Sequence, residues 1–214
     1  MVGTMDSAQI TTTTVGPMGN NCYLVSAGGD ALLIDAADDA RRLLAVAADA
    51  GVRITDVLTT HRHDDHVQAL GEVLAATGAR HHASAQDAPD IPATVDRTWG
   101  HDPDSDDPET FITSSPALDA LGMRLVLLRG HTAGGLGVIL PQPDGTADLF
   151  SGDSLFPGGV GKTETAEDFT ALLSDVSRRC FNLPDSTRVH PGHGDSTTIG
   201  AERPHLEEWR ERGW

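Results

Sequence analysis

Residues 61–66 read HRHDDH and follow directly on the apolar run ITDVLTT at 54–60. Three histidines and two aspartates fill five of these six positions in a chain that has 10 histidines in 214 residues. ITDVLTT reads as a short buried strand, and VQALGEVLAATG at 67–78 has helical periodicity and a terminal glycine. The cluster therefore lies on a loop from a strand's C-terminal end into a helix, where layered α/β proteins carry ligand and catalytic groups. A solvated turn has no use for three histidines, and a proton relay needs only one or two groups. A metal cage uses the whole set, since zinc and similar ions take imidazole nitrogen and carboxylate oxygen at about 2.0–2.2 Å. His61 and His63 are two apart and project to the same side of an extended segment. Asp65 and His66 sit where the loop turns and face a neighbouring position, so one loop can serve two ions. Arg62 and Asp64 read as solvent-facing or supporting residues.

The surrounding pattern predicts two sheets between helices. ITTTTVG (10–16), NCYLVS (21–26) and ALLIDA (31–36) read as strands, with a helix over 38–50 closed by Gly51. A further strand is expected at 79–83, then a loop-rich acidic stretch over 86–116. MRLVLLRG (123–130), LGVILP (136–141) and ADLFSGD (147–153) predict three strands of a second sheet. Thr165 to Cys180 reads as a helix with a Thr165/Asp168 capping box and an apolar stripe through Phe169, Leu172, Leu173, Val176 and Cys180. STRVHPG (186–192) predicts a last strand, and AERPHLEEWRER a closing polar helix against which Trp209 and Trp214 pack. The length suits one domain over 1–214.

Three more ligand-type side chains stand at strand exits between glycines: His131 in GHTAGG (130–135), Asp153 in FSGDSLF (150–156) and His193 in HPGHGD (190–195). The whole constellation resembles the metallo-β-lactamase superfamily. HRHDDH matches its H-x-H-x-D-H motif, followed in order by the GHT, GD and PGHG elements, and the likeness runs from NCYLV and LID to PGHG. The resemblance implies a four-layer αββα sandwich of the α/β class. It also implies two divalent ions, zinc first and iron or manganese as alternatives. His61, His63 and His131 would bind the first and Asp65, His66 and His193 the second, with Asp153 bridging both. Asp65 and Asp153 would be the catalytic carboxylates.

SGDSLFPGGVGKT (151–163) is similar to the glyoxalase II branch, whose members hydrolyse glutathione thioesters and whose lysine contacts the thiol carrier. Lys162, the only lysine of the chain, matches that position. Glu164 and Asp195 stand where that branch has aromatic residues holding glutathione, and its long C-terminal helical domain has no counterpart here. Another small thiol, a lactone or an amide therefore stays open as substrate. The expected reaction is attack by a metal-bridging hydroxide on a carbonyl carbon, with water's pKa lowered from about 15.7 to about 7. A thiolate leaves with little acid assistance. Two alternatives compete. One is a mononuclear Fe(II) persulfide dioxygenase using His61, His131 and Asp153, and the other is a non-catalytic metal-binding domain.

Net charge −17 repels phosphate backbones and anionic lipids, so nucleic-acid and membrane partners are not expected and a small-molecule substrate is. MVGTMDSAQI lacks the basic start and apolar stretch of a signal peptide, and a cytoplasmic setting is expected. His190 is read as a decoy beside His193; His81, His82, His101 and His205 as surface or packing residues. HDPDSDDPE (101–109) lacks the central Gly and distal Glu of a calcium loop and reads as a solvated acidic loop.

Overall fold

The computed structural model describes residues 8–213. Residues 1–7, which carry most of the segment read above as free of a signal peptide, and Trp214 lie outside them. β1 (Gln9–Val15), β2 (Asn20–Ala27) and β3 (Asp30–Ile34) form an antiparallel meander. After α1 (Ala40–Asp49), β4 (Arg53–Leu58) joins β3 in parallel. After α2 (Leu70–Thr77), β5 (Arg80–Ser84) and β6 (Arg97–Trp99) extend the sheet in the same sense.

β7 (Glu109–Thr110), α3 (Pro116–Asp119), β8 (Arg124–Leu127), β9 (Leu136–Pro141) and β10 (Ala147–Gly152) open the second half. A hairpin of β11 (Leu155–Phe156) and β12 (Gly159–Val160) leads to α4 (Ala166–Asp175). β13 (Arg188–Pro191), β14 (Thr197–Thr198), α5 (Ile199–Glu202) and α6 (Leu206–Arg212) follow. The sheet orders are β1-β2-β3-β4-β5-β6 and β14-β13-β10-β9-β8-β7.

Side-chain parity turns these sheets into layers. Cys22, Leu24, Ala31 and Leu33 pack with Leu43, Ala47, Leu70 and Val73 of α1 and α2. Their neighbours Tyr23, Val25, Leu32 and Ile34 point the other way, onto Leu125, Val138, Leu140 and Phe150 of the second sheet. On that sheet's far face Val126, Ile139 and Leu149 meet Leu172, Leu173, Val176 and Trp209. Three apolar interfaces make four layers, helix, sheet, sheet and helix, as expected. Strands covered on both faces explain why the runs read as continuously apolar rather than alternating.

The acidic stretch holds more order than its composition suggests. It contributes β6 and β7, and Asp106 meets the Arg178 guanidinium at 3.2 Å. Arg179 donates to the Pro103 carbonyl at 2.7 Å. Strands of three and two residues surrounded by Asp and Pro leave no periodicity to read. Thr165 caps α4 by accepting from the Asp168 N–H, as expected, and the helix continues as a π-turn through Val176–Cys180. The closing helix is broken at Arg203–His205, where Pro204 has no N–H to give. Among the described residues no helix is long and apolar enough to cross a membrane.

His81 and His82 are packing residues, both fully buried. His82 Nε2 donates to Asp56 at 2.9 Å, and its Nδ1 accepts from the Trp99 indole. His190 is held at 2.7 Å by Asp148, which also meets Arg188 at 2.8 Å and Gln142 at 2.6 Å. Burial would raise the Asp148 carboxyl, but these donors outweigh it and lower the carboxyl from 3.8 to about 2. A depressed carboxylate stabilises the fold fully above its unfolded value and loses that contribution as pH falls through the folded value. Between about pH 4 and 2 Asp148 should give up about 2 kcal/mol. Urea denaturation at stepped pH should show this slope in the parent chain and a shallower one in Asp148→Asn.

Candidate metal centre

Four strand ends of the two sheets meet at one edge of the sandwich. The loop after β4 brings His61, His63, Asp65 and His66; those after β8, β10 and β13 bring His131, Asp153 and His193. The edges are stitched by main chain and side chain. Asn21 N–H donates to the Gly192 carbonyl at 2.7 Å, Gly192 N–H to the Gly152 carbonyl at 2.9 Å, and Tyr23 Oη to the Pro191 carbonyl at 2.6 Å. Gly192 is required, because a Cβ there would lie 2.2 Å from Asp153 Oδ1.

All seven ligand-type residues singled out in the sequence come together. His61, His63 and His131 form one group with facing nitrogens, and Asp65, His66 and His193 another. Asp153 lies between them. Its Oδ1 is 3.5 Å from His66 Nε2, and its Oδ2 is 3.6 Å from His131 Nε2 and 3.5 Å from His193 Nε2. His193 Nε2 stands 3.2 Å from Asp65 Oδ2. Two ligands about 2.1 Å from a tetrahedral ion lie about 3.4 Å apart, the spacing seen here. His190 is excluded by its bond to Asp148 and its stacking on Phe150 at 5.0 Å. Arg62 turns outward to Asp90, and Asp64 is exposed. The Lys162 side chain is exposed, and its backbone carbonyl accepts from His131 Nδ1 at 2.7 Å, which places the residue beside the centre.

The hydrogen bonds fix which ring nitrogen faces inward. Asp35 accepts from His66 Nδ1 at 2.8 Å and from the Thr60 N–H and hydroxyl at 2.7 Å each. With its proton given to Asp35, the Thr60 hydroxyl accepts from His61 Nδ1 at 3.0 Å. His193 Nδ1 donates to the Met18 carbonyl at 3.2 Å. His61, His66, His131 and His193 thus all turn Nε2 to the centre. His61 Nε2, His131 Nε2 and Asp153 Oδ1 are buried without a hydrogen-bond partner. Buried lone pairs converging without a donor are costly unless a cation joins them, so the donor set fits divalent metal.

The electrostatics divide the histidines, and a metal ion on His66 would have to displace a proton. Burial holds His61 well below its ordinary value, and the imidazoles around it add to the effect, so it is neutral. Burial also works against charge on His66, but Asp35 and Asp153 outweigh it and raise this imidazole to about 10. Burial would raise Asp65 and Asp153; the Asn20 amide on Asp65 and the His66 imidazole beside Asp153 outweigh it, and both carboxyls lie below the usual range.

Sequence reasoning missed Asp35 and Asn20. Asp35 has φ 58°, a conformation no pattern announces, and Asn20 reads as a turn residue while its amide donates to Asp65 Oδ2 at 2.8 Å. The signals available for Asp35 were its strand-end position and its place in the LID match, neither of which gave it a role.

A family profile described as "Metallo-beta-lactamase superfamily" matches residues 15–193. A hydroxyacylglutathione hydrolase of Fuscovulum blasticum is 36% identical over 170 residues, 78% of this chain and 59% of that one. Hydroxyacylglutathione hydrolase GloC of Haemophilus influenzae is 28% identical over 86% of this chain and 89% of its own. The chain spans 57–61% of the length of the first three relatives. Among solved structures, BLEG-1 B3 metallo-beta-lactamase superposes with TM-score 0.79 at 22% identity over 92% of this chain and 98% of that one. TTHA1623 in a di-iron-bound form gives 0.72 at 30% over 90% and 96%.

Proposed function

The chain belongs to the metallo-beta-lactamase superfamily, and from that premise we propose that it is a dinuclear metallohydrolase cleaving a thioester-like acyl substrate. The observation that carries the dinuclear reading is Asp153, whose carboxylate reaches nitrogens of both groups, His131 of one and His66 and His193 of the other. In this reading His61, His63 and His131 hold one ion, and Asp65, His66 and His193 the other. Zinc, iron or manganese would serve. When bound, the ions supply a water that ionises near neutral pH and positive charge beside the substrate's carbonyl oxygen.

The chain's own residues do the rest. Asp35 and Thr60 hold the ring orientations of His66 and His61, Asn20 holds Asp65, and Asp65 and Asp153 keep the centre's net charge low. An amine leaving group would need a proton donor, and every converging side chain is committed to the ions. A thiolate needs little help, its conjugate acid having a pKa of about 8.5. The proposal takes residues 1–214 as one domain acting on a small molecule in the cytoplasm. The convergence of Asp65, His66 and His193 favours it over a mononuclear oxygenase using His61, His131 and Asp153. Metal-loaded protein offered thioester, lactone and β-lactam substrates should cleave the thioester fastest and stop on chelation. Silence on all three, with O₂ consumed in the presence of a thiol persulfide, would overturn the proposal.

Lys162 is the flexible point charge beside this centre. Lys162→Ala should raise KM for an anionic thioester about tenfold with kcat little changed, the mark of lost uniform binding. Metal content should stay the same. An unchanged KM for every anionic substrate removes Lys162 from the site.

A further inference from the structure

The β11–β12 hairpin connects two residues of the proposed centre. It begins two residues after Asp153 and ends two before Lys162. Its root is tight. Gly161 N–H donates to the Ser154 carbonyl at 3.2 Å, and a Cβ on Gly161 would lie 1.7 Å from the Asp153 carbonyl oxygen.

The far end of the hairpin is gripped from the C-terminal helices. Gly158, at φ 83°, donates its N–H to Glu202 Oε2 at 2.8 Å, and its carbonyl accepts from Arg212 at 3.1 Å. Glu202 is 5% exposed, and its other oxygen accepts from the Thr197 hydroxyl at 2.5 Å. Thr197 pairs with Val189 of β13, the strand that leads to His193. One buried carboxylate therefore ties the hairpin tip to the strand pair beside His193. The metal centre makes no use of it, and a buried carboxylate is costly to keep for packing alone.

We propose that Glu202, aided by Arg212, is a positioning residue for Lys162. Held at Gly158, the hairpin can leave the centre in one direction only, and Lys162 is the residue it delivers beside the centre. The inference rests on the reading of Lys162 as the contact for an anionic carrier. Without the grip the whole hairpin is free to tilt, root included, and the tilt passes through Gly161 to Lys162, whose ammonium is then spread over a larger volume, at a cost in binding rather than in chemistry.

The test uses the full metal-loaded chain with an anionic thioester. Glu202→Ala should raise KM about fivefold or more with kcat within about twofold. Glu202→Gln, whose amide oxygen still accepts from Gly158, should return KM to within about twofold of the parent. In a Lys162→Ala background, Glu202→Ala should add less than about twofold, because the two changes remove the same contact. Equal KM effects with and without Lys162, or no KM effect, overturn the proposal. A readout independent of turnover uses the fact that Lys162 is the only lysine. After reductive ¹³C-dimethylation it gives one lysine side-chain resonance, which should move in Glu202→Ala and stay in Glu202→Gln. If Glu202→Ala does not fold, Arg212→Ala should move the same resonance. An unmoved resonance overturns the positioning role, whereas absence of thioester turnover with a moved resonance overturns only the hydrolase reading.

Discussion

Asp153→Ala should abolish both activity and the metal pair. Asp153 faces both groups of nitrogens, with Oδ1 toward His66 and Oδ2 toward His131 and His193. Removing it takes a ligand from each ion at once and leaves imidazoles facing one another across a space that nothing neutral fills. His61 lies with its ring centroid 4.1 Å from that of His66 and 4.8 Å from that of His131, a crowding that a bridging anion and two cations would offset. The expected loss in kcat/KM is on the order of a thousandfold or more, several kcal/mol of transition-state stabilisation. Metal analysis of the purified variant should find well under one equivalent. Retention of a full pair would mean that Asp153 bridges nothing.

His193→Ala and His190→Ala should separate cleanly. His193 Nε2 points at Asp65 and Asp153 and stands 3.2 Å from His66 Nε2, so its loss should empty one position and leave about one equivalent of metal, with activity down on the order of a hundredfold. His190 is turned into the sheet, bonded to Asp148 and stacked on Phe150. Its removal should leave metal content intact and cost about 1–3 kcal/mol of stability, because Asp148 loses a donor in a buried setting. Metal stoichiometry and urea denaturation on both variants check the pair. The reverse pattern would reassign the last ligand.

The contrast between these histidines shows what a sequence makes legible. His193 stands between glycines at a strand exit, where backbone approaches closely, and the same logic located His131 and Asp153. The layering was legible because strands buried on both faces are apolar throughout, so both sheets and α1, α2 and α4 stood out. Asp35 and Asn20 were not legible as functional residues. Their roles depend on a positive φ and on contacts to residues 31 and 45 positions away, and neither leaves a local mark. The short strands β6 and β7 were hidden by the acidic residues around them, whose partners Arg178 and Arg179 lie more than 70 positions on. Glu202 read as an ordinary polar helix residue; only its contact with Gly158, 44 positions back, gives it a task.

Anomalous scattering from crystals of the purified protein, with metal content measured on the same preparation, tests the dinuclear assignment most directly. The account predicts about two equivalents per chain and two peaks on either side of Asp153. One should be bounded by His61, His63 and His131, the other by Asp65, His66 and His193. A single peak held by His61, His131 and Asp153, with Asp65 and His193 out of reach, would contradict it.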